Sequence, residues 1–138
     1  MMTLQQAETA IYSRIGTFAF TGLDKANLRI ENQPLANGQP YVPPTNKPWC
    51  KVFVQYADSQ VAAIGDNPCI RDHGIISIQC LTPKNSGTLT MTELCDAWRS
   101  FLQSFSASHL EVYKVHAPQS MDDQDFYAKI IRAEFRVN

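Results

Sequence analysis

The stretch that decides the fold is RDHGIISIQCLTPKNSGTLTMTELCDAWRSFLQSF, residues 71–105, which joins an alternating strand to an amphipathic helix through a loop with proline and glycine. One side of the extended chain carries Ile76, Ile78 and Cys80. Polar side chains occupy the positions between them, which is the period-two pattern of a sheet with one buried face. Pro83 and Gly87 then end the strand.

The helix that follows has the pattern of a covered helix. Thr90 and Glu93 have the spacing of a capping box, and Leu89 and Leu94 have that of a hydrophobic staple, so we predict a helix start capped by Thr90. Apolar residues then recur at spacings of three and four. They are Met91, Leu94, Cys95, Trp98, Leu102 and Phe105. This stripe is typical of core packing rather than of a cofactor site.

Outward from this stretch, the N-terminal segment predicts a second helix. Thr3 and Gln6 form another possible capping box, and Gly22 is the predicted end of the helix. The apolar stripe of this helix consists of Leu4, Ala7, Ile11, Ile15 and Phe18. We therefore expect both helices to cover the sheet with one apolar side each.

The remaining segments predict strands and loops. Strands are predicted over 27–32, 49–58, 109–116 and 126–137. The segment 33–48 holds five of the eight prolines and predicts an ordered or semi-ordered loop. Residues 59–70 have no clear period and are interpreted as a possible hairpin arm, and the polar segment 118–124 as a mobile turn.

The predicted order is helix, three strands, helix, two strands. This order favours one α+β domain over residues 1–138, with a mainly antiparallel or mixed sheet of about five strands and two helices packed on one face. No internal repeat or low-complexity tract divides the chain.

Composition narrows the function classes. The formal net charge is −1, with 12 basic and 13 acidic residues, so the chain lacks the basic surplus that drives phosphate binding. We therefore expect no tight nonspecific binding of nucleic acid. No stretch has the apolar length of a membrane span, and the N-terminus lacks the pattern of a secretory signal, so we expect no membrane association and a cytoplasmic site of synthesis and assembly.

The sequence contains no recognisable catalytic or metal-binding motif. The four cysteines, Cys50, Cys69, Cys80 and Cys95, include no C-x-x-C pair, and are interpreted as reduced thiols, two of them on buried faces. A disulfide framework or metal site is the less favoured alternative. His73, His109 and His116 lack ligands at metal spacing, and the aspartates near residue 122 lack the glycine and glutamate of a calcium loop. We expect neither an enzyme nor a cofactor.

The sequence is better supplied with surfaces for protein contact. The Pro-rich loop, the apolar segment 61–64 and the aromatic residues of the strand at 49–58 exceed the needs of one small core. Simple packing at the sheet edges is the alternative for each. The residues predicted to contact other chains are Tyr41, Pro43, Pro44, Trp49, Phe53, Ile64, Arg71, Lys129, Arg132 and Arg136. The last three are predicted to share the outer face of the final strand, toward an acidic partner or a lumen.

This organisation resembles the tail terminator, or tail-completion, proteins of long-tailed bacteriophages. The matching features are the N-terminal helix, I-E-N-Q-P at 30–34, P-W at 48–49 after the Pro-rich loop, K-V-F-V-Q-Y at 51–56 and R-D-H-G-I-I-S-I-Q-C-L-T-P at 71–83, followed by Gly87 and a helix. The resemblance covers most of the chain. Arg71, Gly74, Pro83 and Gly87 ahead of the helix form its most distinctive part.

The resemblance implies a structural virion protein without enzymatic activity. Such a protein forms a ring, expected to be a homohexamer, on the head-proximal end of the tail tube, stops tube polymerisation and joins the tail to the neck or head-completion protein. Genomic DNA passes through the ring without specific binding. Two other functions stay open: a head-tail connector or neck protein of the same virion, and a small soluble enzyme or ligand-binding domain.

Overall fold

The structure is a computed structural model and describes residues 2–61, 70–107 and 109–137. Its helices are α1 (Leu4–Ile15) and α2 (Leu89–Gln103), and its strands are β1 (Leu28–Ile30), β2 (Trp49–Val61), β3 (Ile70–Pro83), β4 (Ser106–Ala107), β5 (Leu110–Val115), β6 (Gln119–Met121) and β7 (Phe126–Val137). The described strands form one sheet in the order β1-β2-β3-β7-β5-β4, with β6 also paired to β7.

The α+β architecture predicted from the sequence is confirmed. The pairing of β1 with β2 is parallel, and every other pairing of the described strands is antiparallel, so the sheet is mixed. Both helices pack on the same face of the sheet, because the buried residues of α1 and α2 share one core with those of β2, β3 and β7. No helix among the described residues is long and apolar enough to cross a membrane.

α1 begins as predicted but ends earlier. The Thr3 hydroxyl accepts a hydrogen bond from the Gln6 backbone N–H at 3.1 Å, and the Gln6 side chain accepts one from the Thr3 N–H at 2.9 Å. The predicted end at Gly22 is wrong, since the helix stops at Ile15 and Gly16 is its C-cap. Gly16 is the first glycine after the start of the helix, and the helix ends there because glycine destabilises a helix. Gly22 lies in a later turn, where its φ is +98°.

α2 has the predicted apolar stripe but not the predicted cap. All six stripe residues are buried. The capping box at Thr90 and the staple are wrong, because the helix begins at Leu89 after Thr88, and Leu89 is 75% exposed. The turn at Gly87, with a φ of +84°, brings the chain into the helix two residues early, and the Thr88 carbonyl accepts the first N–H, from Thr92 at 2.9 Å.

The core joins both helices to the sheet. The Trp98 ring of α2 stacks on Phe18, which follows α1, with ring centroids 3.6 Å apart. Gly74 of β3 lies beneath the ring of Phe135, where a Cβ would also come within 2.7 Å of the Gln55 carbonyl oxygen. A glycine is therefore required at this point by the close approach of a ring and a neighbouring strand.

Two short strands are absent from the sequence prediction. The segment predicted as a mobile turn contains β6, in which Gln119 pairs with Ile130 and Met121 with Ala128. β4 adds a short edge beside β5. A polar segment forms a strand here because β7 extends past β5 and offers unpaired backbone groups, and backbone pairing needs no apolar side chain.

The cysteines that the structure describes agree with their interpretation as reduced thiols. Cys50, Cys80 and Cys95 are free and buried in the core, and Cys69 lies outside the described residues. Cys50 and Cys80 face each other across β2 and β3. Hydrogen bonds with Cys50 and Cys95, together with burial, raise the pKa of the Cys80 thiol, which keeps it protonated and unreactive.

Candidate assembly surfaces

The sheet face opposite the helices, here called the open face, carries a row of three side chains across three strands. Phe53 of β2 lies directly opposite Ser77 of β3, which lies opposite Arg132 of β7. Phe53 is half-buried and Arg132 is exposed. These residues line a hollow of about 290 Å³ whose far wall is formed by β6. The structure thus brings together two of the residues that the sequence predicts as contacts.

Ser77 is the unusual member of this row. It is fully buried, although no helix covers this face, and its hydroxyl has no hydrogen-bond partner among the described residues. Its small side chain sits between Phe53 and Arg132, so the larger neighbours shield it. The row is therefore a shallow notch with a polar floor, an apolar wall and a cationic wall.

The three basic residues predicted on the outer face of β7 do not act as a group. Arg132 and Arg136 lie on the open face, but Lys129 pairs with Cys80 and lies on the helix-covered face, where its charge acts on Cys95. The predicted position of Lys129 on the outer face is wrong, since alternation places it on the same side as Ile131. Arg136 is already paired within the chain, with its guanidinium 3.0 Å from the Glu111 carboxylate.

The Pro-rich loop folds back on the start of β2 and encloses a cleft of about 480 Å³, here called the loop cleft. Tyr41, Pro43 and Trp49 line it as a group, with the ring centroids of Tyr41 and Trp49 5.6 Å apart. Burial raises the pKa of the Tyr41 phenol, which donates a hydrogen bond to Asn27 at 2.8 Å. Pro44 is half-buried beside this group and is not one of the residues lining the cleft.

Two basic residues of the loop cleft were not predicted. Arg29 of β1 lies over the Tyr41 ring at 4.9 Å and donates to the backbone carbonyls of Gln33 and Pro34. Lys51 of β2 is the register partner of Arg29. Each residue occupies an ordinary polar position of its own strand, so the sequence holds no signal for their meeting. Only the parallel pairing of β1 and β2 brings them together.

The β2–β3 hairpin extends beyond its neighbours in the sheet. β1 pairs with β2 only at 50–52, so the outer edge of β2 from Phe53 to Val61 has no described strand beside it. At the far end, Gln60 pairs with Arg71 and Val61 with Ile70, past the last β7 pairing at Asp72. The described ends of the segment interpreted as an arm are therefore a β-hairpin.

Two predicted contact residues are not tested by these positions. Ile64 lies outside the described residues. Arg71 lies in β3 at the register given above, and its side chain is outside the described part as well. The described residues contain no cluster of three potential metal ligands. Among the histidines, His116 lies 2.7 Å from the Glu134 carboxylate, and His73 contacts the Tyr113 ring edge to face.

Comparison with known proteins identifies the fold alone. No family model matches the sequence, and no curated protein matches it. One solved structure, of a protein whose name gives no activity, covers 100% of this chain and 97% of its own with a TM-score of 0.72 and 12% sequence identity. The chain is thus similar to a protein of nearly the same extent, and at this identity the likeness is one of architecture.

Proposed function

We propose that this protein is a phage tail terminator, a structural virion protein that forms a ring on the head-proximal end of the tail tube. The ring stops tube polymerisation and provides the surface to which the neck or head-completion protein attaches. The proposal combines the resemblance of the sequence to this family with the assembly surfaces described above. It includes assembly in the host cytoplasm and a final place in the virion tail.

The observation that carries the proposal is the protruding β2–β3 hairpin with its unpaired edge. An exposed strand edge presents a row of free N–H and C=O groups that another chain can pair with. The edge from Phe53 to Val61 is long for such a feature, and a register shift between Tyr56 and Ser59 is the only irregularity that interrupts its described part. Such an edge is favourable for a protein whose work is to join copies of itself.

Ring closure follows from the asymmetry of the chain's surfaces. The hairpin and the open face lie at different places from the β4 and β5 edge, so one copy can present the hairpin to a different surface of the next. A heterologous contact of this kind closes into a ring when its rotation divides the circle. Arg132 is the exposed cation we assign to an acidic partner or to the lumen.

Electron microscopy of particles made without this protein tests the function. Loss of a terminator gives tubes longer than those of the wild type, because nothing stops polymerisation. Loss of a connector or neck protein instead leaves tails of normal length that fail to join heads, which would replace the proposal by that alternative. Mass measurement of the purified protein adds a second test, since a monomer that binds a small ligand and leaves tails unaffected would contradict it.

Complementation with single variants tests whether the open face takes part in assembly. Phe53→Glu places a charge in the notch of the open face, and we expect overlong tubes as in the deletion. Gln103→Glu is the control, because Gln103 is an exposed residue at the end of α2 and lies outside the open face and the edge of β2. Equal rescue by both variants would remove the open face from the assembly contact.

A further inference from the structure

We propose that the loop cleft binds a carboxylate side chain of an acidic peptide segment from a partner protein. The cleft is lined by two basic side chains, by aromatic and proline rings, and by no aspartate or glutamate. This juxtaposition of cations and apolar rings fits an acidic peptide, whose carboxylate meets the cations while its backbone and side-chain methylene groups cover the rings.

The charges of the cleft are not neutralised within the described part of the chain. Neither Arg29 nor Lys51 is in any of the ion pairs found there. The acidic residues of the flanking segments do not line the cleft: Asp24 pairs with Lys47 at 3.3 Å, and Glu31 is not one of the lining residues. A negatively charged occupant therefore meets a cationic site without a competing carboxylate.

The hydrogen-bonding groups of the cleft are also biased toward donors. The Nε of Arg29 and the Nε1 of Trp49 are buried without an acceptor in the described residues. Lys51, a half-buried residue, adds an ammonium group to the lining. Buried donors without acceptors are uncommon in folded proteins, and these two leave the wall of the cleft short of acceptors rather than of donors.

The geometry favours a carboxylate over a phosphate. The Nη2 of Arg29 is committed to the backbone carbonyls of Gln33 and Pro34, so its fork is not free to grip either anion through two hydrogen bonds, and the apolar wall makes the difference. Within the described part of the chain, Lys51 is the lining cation without an ion-pair partner, and it is a single point charge. Pro34, Pro40 and Pro43 add apolar wall that a bare phosphate leaves uncovered, whereas a peptide covers it.

Titration of the protein with octaglutamate peptide, followed by nuclear magnetic resonance, tests the site. The chain has two tryptophans, and the indole N–H signal of Trp49 reports on the cleft while that of fully buried Trp98 is the internal control. We expect a saturable shift of the Trp49 signal alone, which weakens as salt is added. Because the cleft lies within one copy of the chain, this result is independent of ring formation.

Two matched variants test whether octaglutamate binds at the loop cleft. Lys51→Gln is expected to weaken octaglutamate binding about fivefold or more, and Lys114→Gln, which removes an exposed lysine of β5, to leave it unchanged. The proposal is overturned by the absence of a shift, by an equal shift with octaglutamine, or by equal loss in both variants. Inorganic phosphate that competes at the same concentration would replace the peptide site by a general oxyanion site.

Discussion

The two faces of the sheet differ in how fully the rest of the chain covers them. The helix-covered face is closed by Trp98, Phe18 and Phe135, and the apolar residues of its strands share one buried cluster with those of both helices. The open face carries Phe53 and Arg132 around a buried serine hydroxyl that has no partner in the described residues. Both faces hold a buried polar atom without a partner in the described residues, but the open face also leaves Phe53 half-buried and Arg132 exposed. We therefore expect most of the stability to come from the covered face, where the larger of the two apolar clusters lies, and contact with other chains to come from the open face.

The largest expected effect comes from the covered face. Trp98→Ala removes a fully buried ring that stacks on Phe18, and we expect the free energy of unfolding to fall by about 3–5 kcal/mol in urea denaturation. Trp98→Phe is the control, because it keeps a ring on Phe18 and removes an indole N–H that has no acceptor in the described residues, so its cost is below about 1.5 kcal/mol. A loss under about 1 kcal/mol for Trp98→Ala would show that this face is not the stable one.

The second effect tests the close approach at Gly74. Gly74→Ala forces a Cβ against the Phe135 ring and the Gln55 carbonyl, and we expect a loss of about 1–3 kcal/mol in thermal or urea unfolding. Gly16→Ala is the matched control, since Gly16 has a helical φ of −61° and its added Cβ would have ordinary contacts of 3.5 Å. That variant should be neutral or slightly more stable. Equal losses at both sites would contradict the packing described for Phe135.

A truncation on the open face tests whether Phe53 contributes mainly to the stability of the single chain or to contact with other chains. Phe53→Ala is expected to lower the free energy of unfolding by only about 1 kcal/mol, because the ring is half-buried in the single chain. The same variant should reduce assembly, measured by mass and by tail length. A loss as large as that of Trp98→Ala, with assembly intact, would assign Phe53 to the core of the single chain instead.

A smaller effect distinguishes the two arginines of the open face. Arg136→Gln breaks the pair with Glu111 and is expected to cost about 0.2–1 kcal/mol at low salt and less at high salt. Arg132→Gln should leave unfolding within about 0.5 kcal/mol and change only the salt dependence of ring formation and docking. Salt-insensitive docking after neutralisation of Arg132 would exclude it from the contact.

The smallest effect is confined to alkaline pH and lies at the start of the hairpin. Burial, followed by the hydrogen bond from the Tyr56 hydroxyl to Glu8 at 2.7 Å, raises the pKa of Tyr56 well above its usual 10.0. The folded state therefore holds the proton more tightly than the unfolded chain, and stability falls as the pH rises above about 10. Tyr56→Phe should lose less stability over that range, as measured by urea unfolding at several pH values. Parallel curves for the two proteins would contradict this assignment.

The accuracy of the sequence prediction differs between these two faces. Ile131, Ala133 and Phe135 alternate with polar residues in the sequence of β7, and all three are buried on the covered face. The grouping of Lys129 with Arg132 was wrong, although alternation alone places Lys129 beside Ile131. The predicted cap of α2 was wrong, because the start of this helix depends on the turn at Gly87 rather than on the Thr90 and Glu93 spacing.

The residues of the candidate sites were predictable only in part. Trp49 and Tyr41 are predicted as contact residues because the aromatic and apolar residues of this region exceed the needs of one core; the structure places both at one cleft, and their contact with another chain stays a prediction. Arg29, Lys51 and Ser77 were not identified. Each is an ordinary polar residue in an alternating strand, and its role depends on a partner many residues away.

The sequence by itself determined the elements, the single α+β architecture and the apolar sides of both helices, since periodicity and turn chemistry act between neighbours along the chain. Only the tertiary structure decided the pairing of β1 with β2, the strand formed by the polar segment 119–121, and the meeting of Arg29 with Lys51. These features depend on register between distant strands, where backbone groups pair with little regard to side-chain type. The apolar pattern of the covered face can thus be predicted from the sequence, whereas the open face and the loop cleft form only when the strands pair.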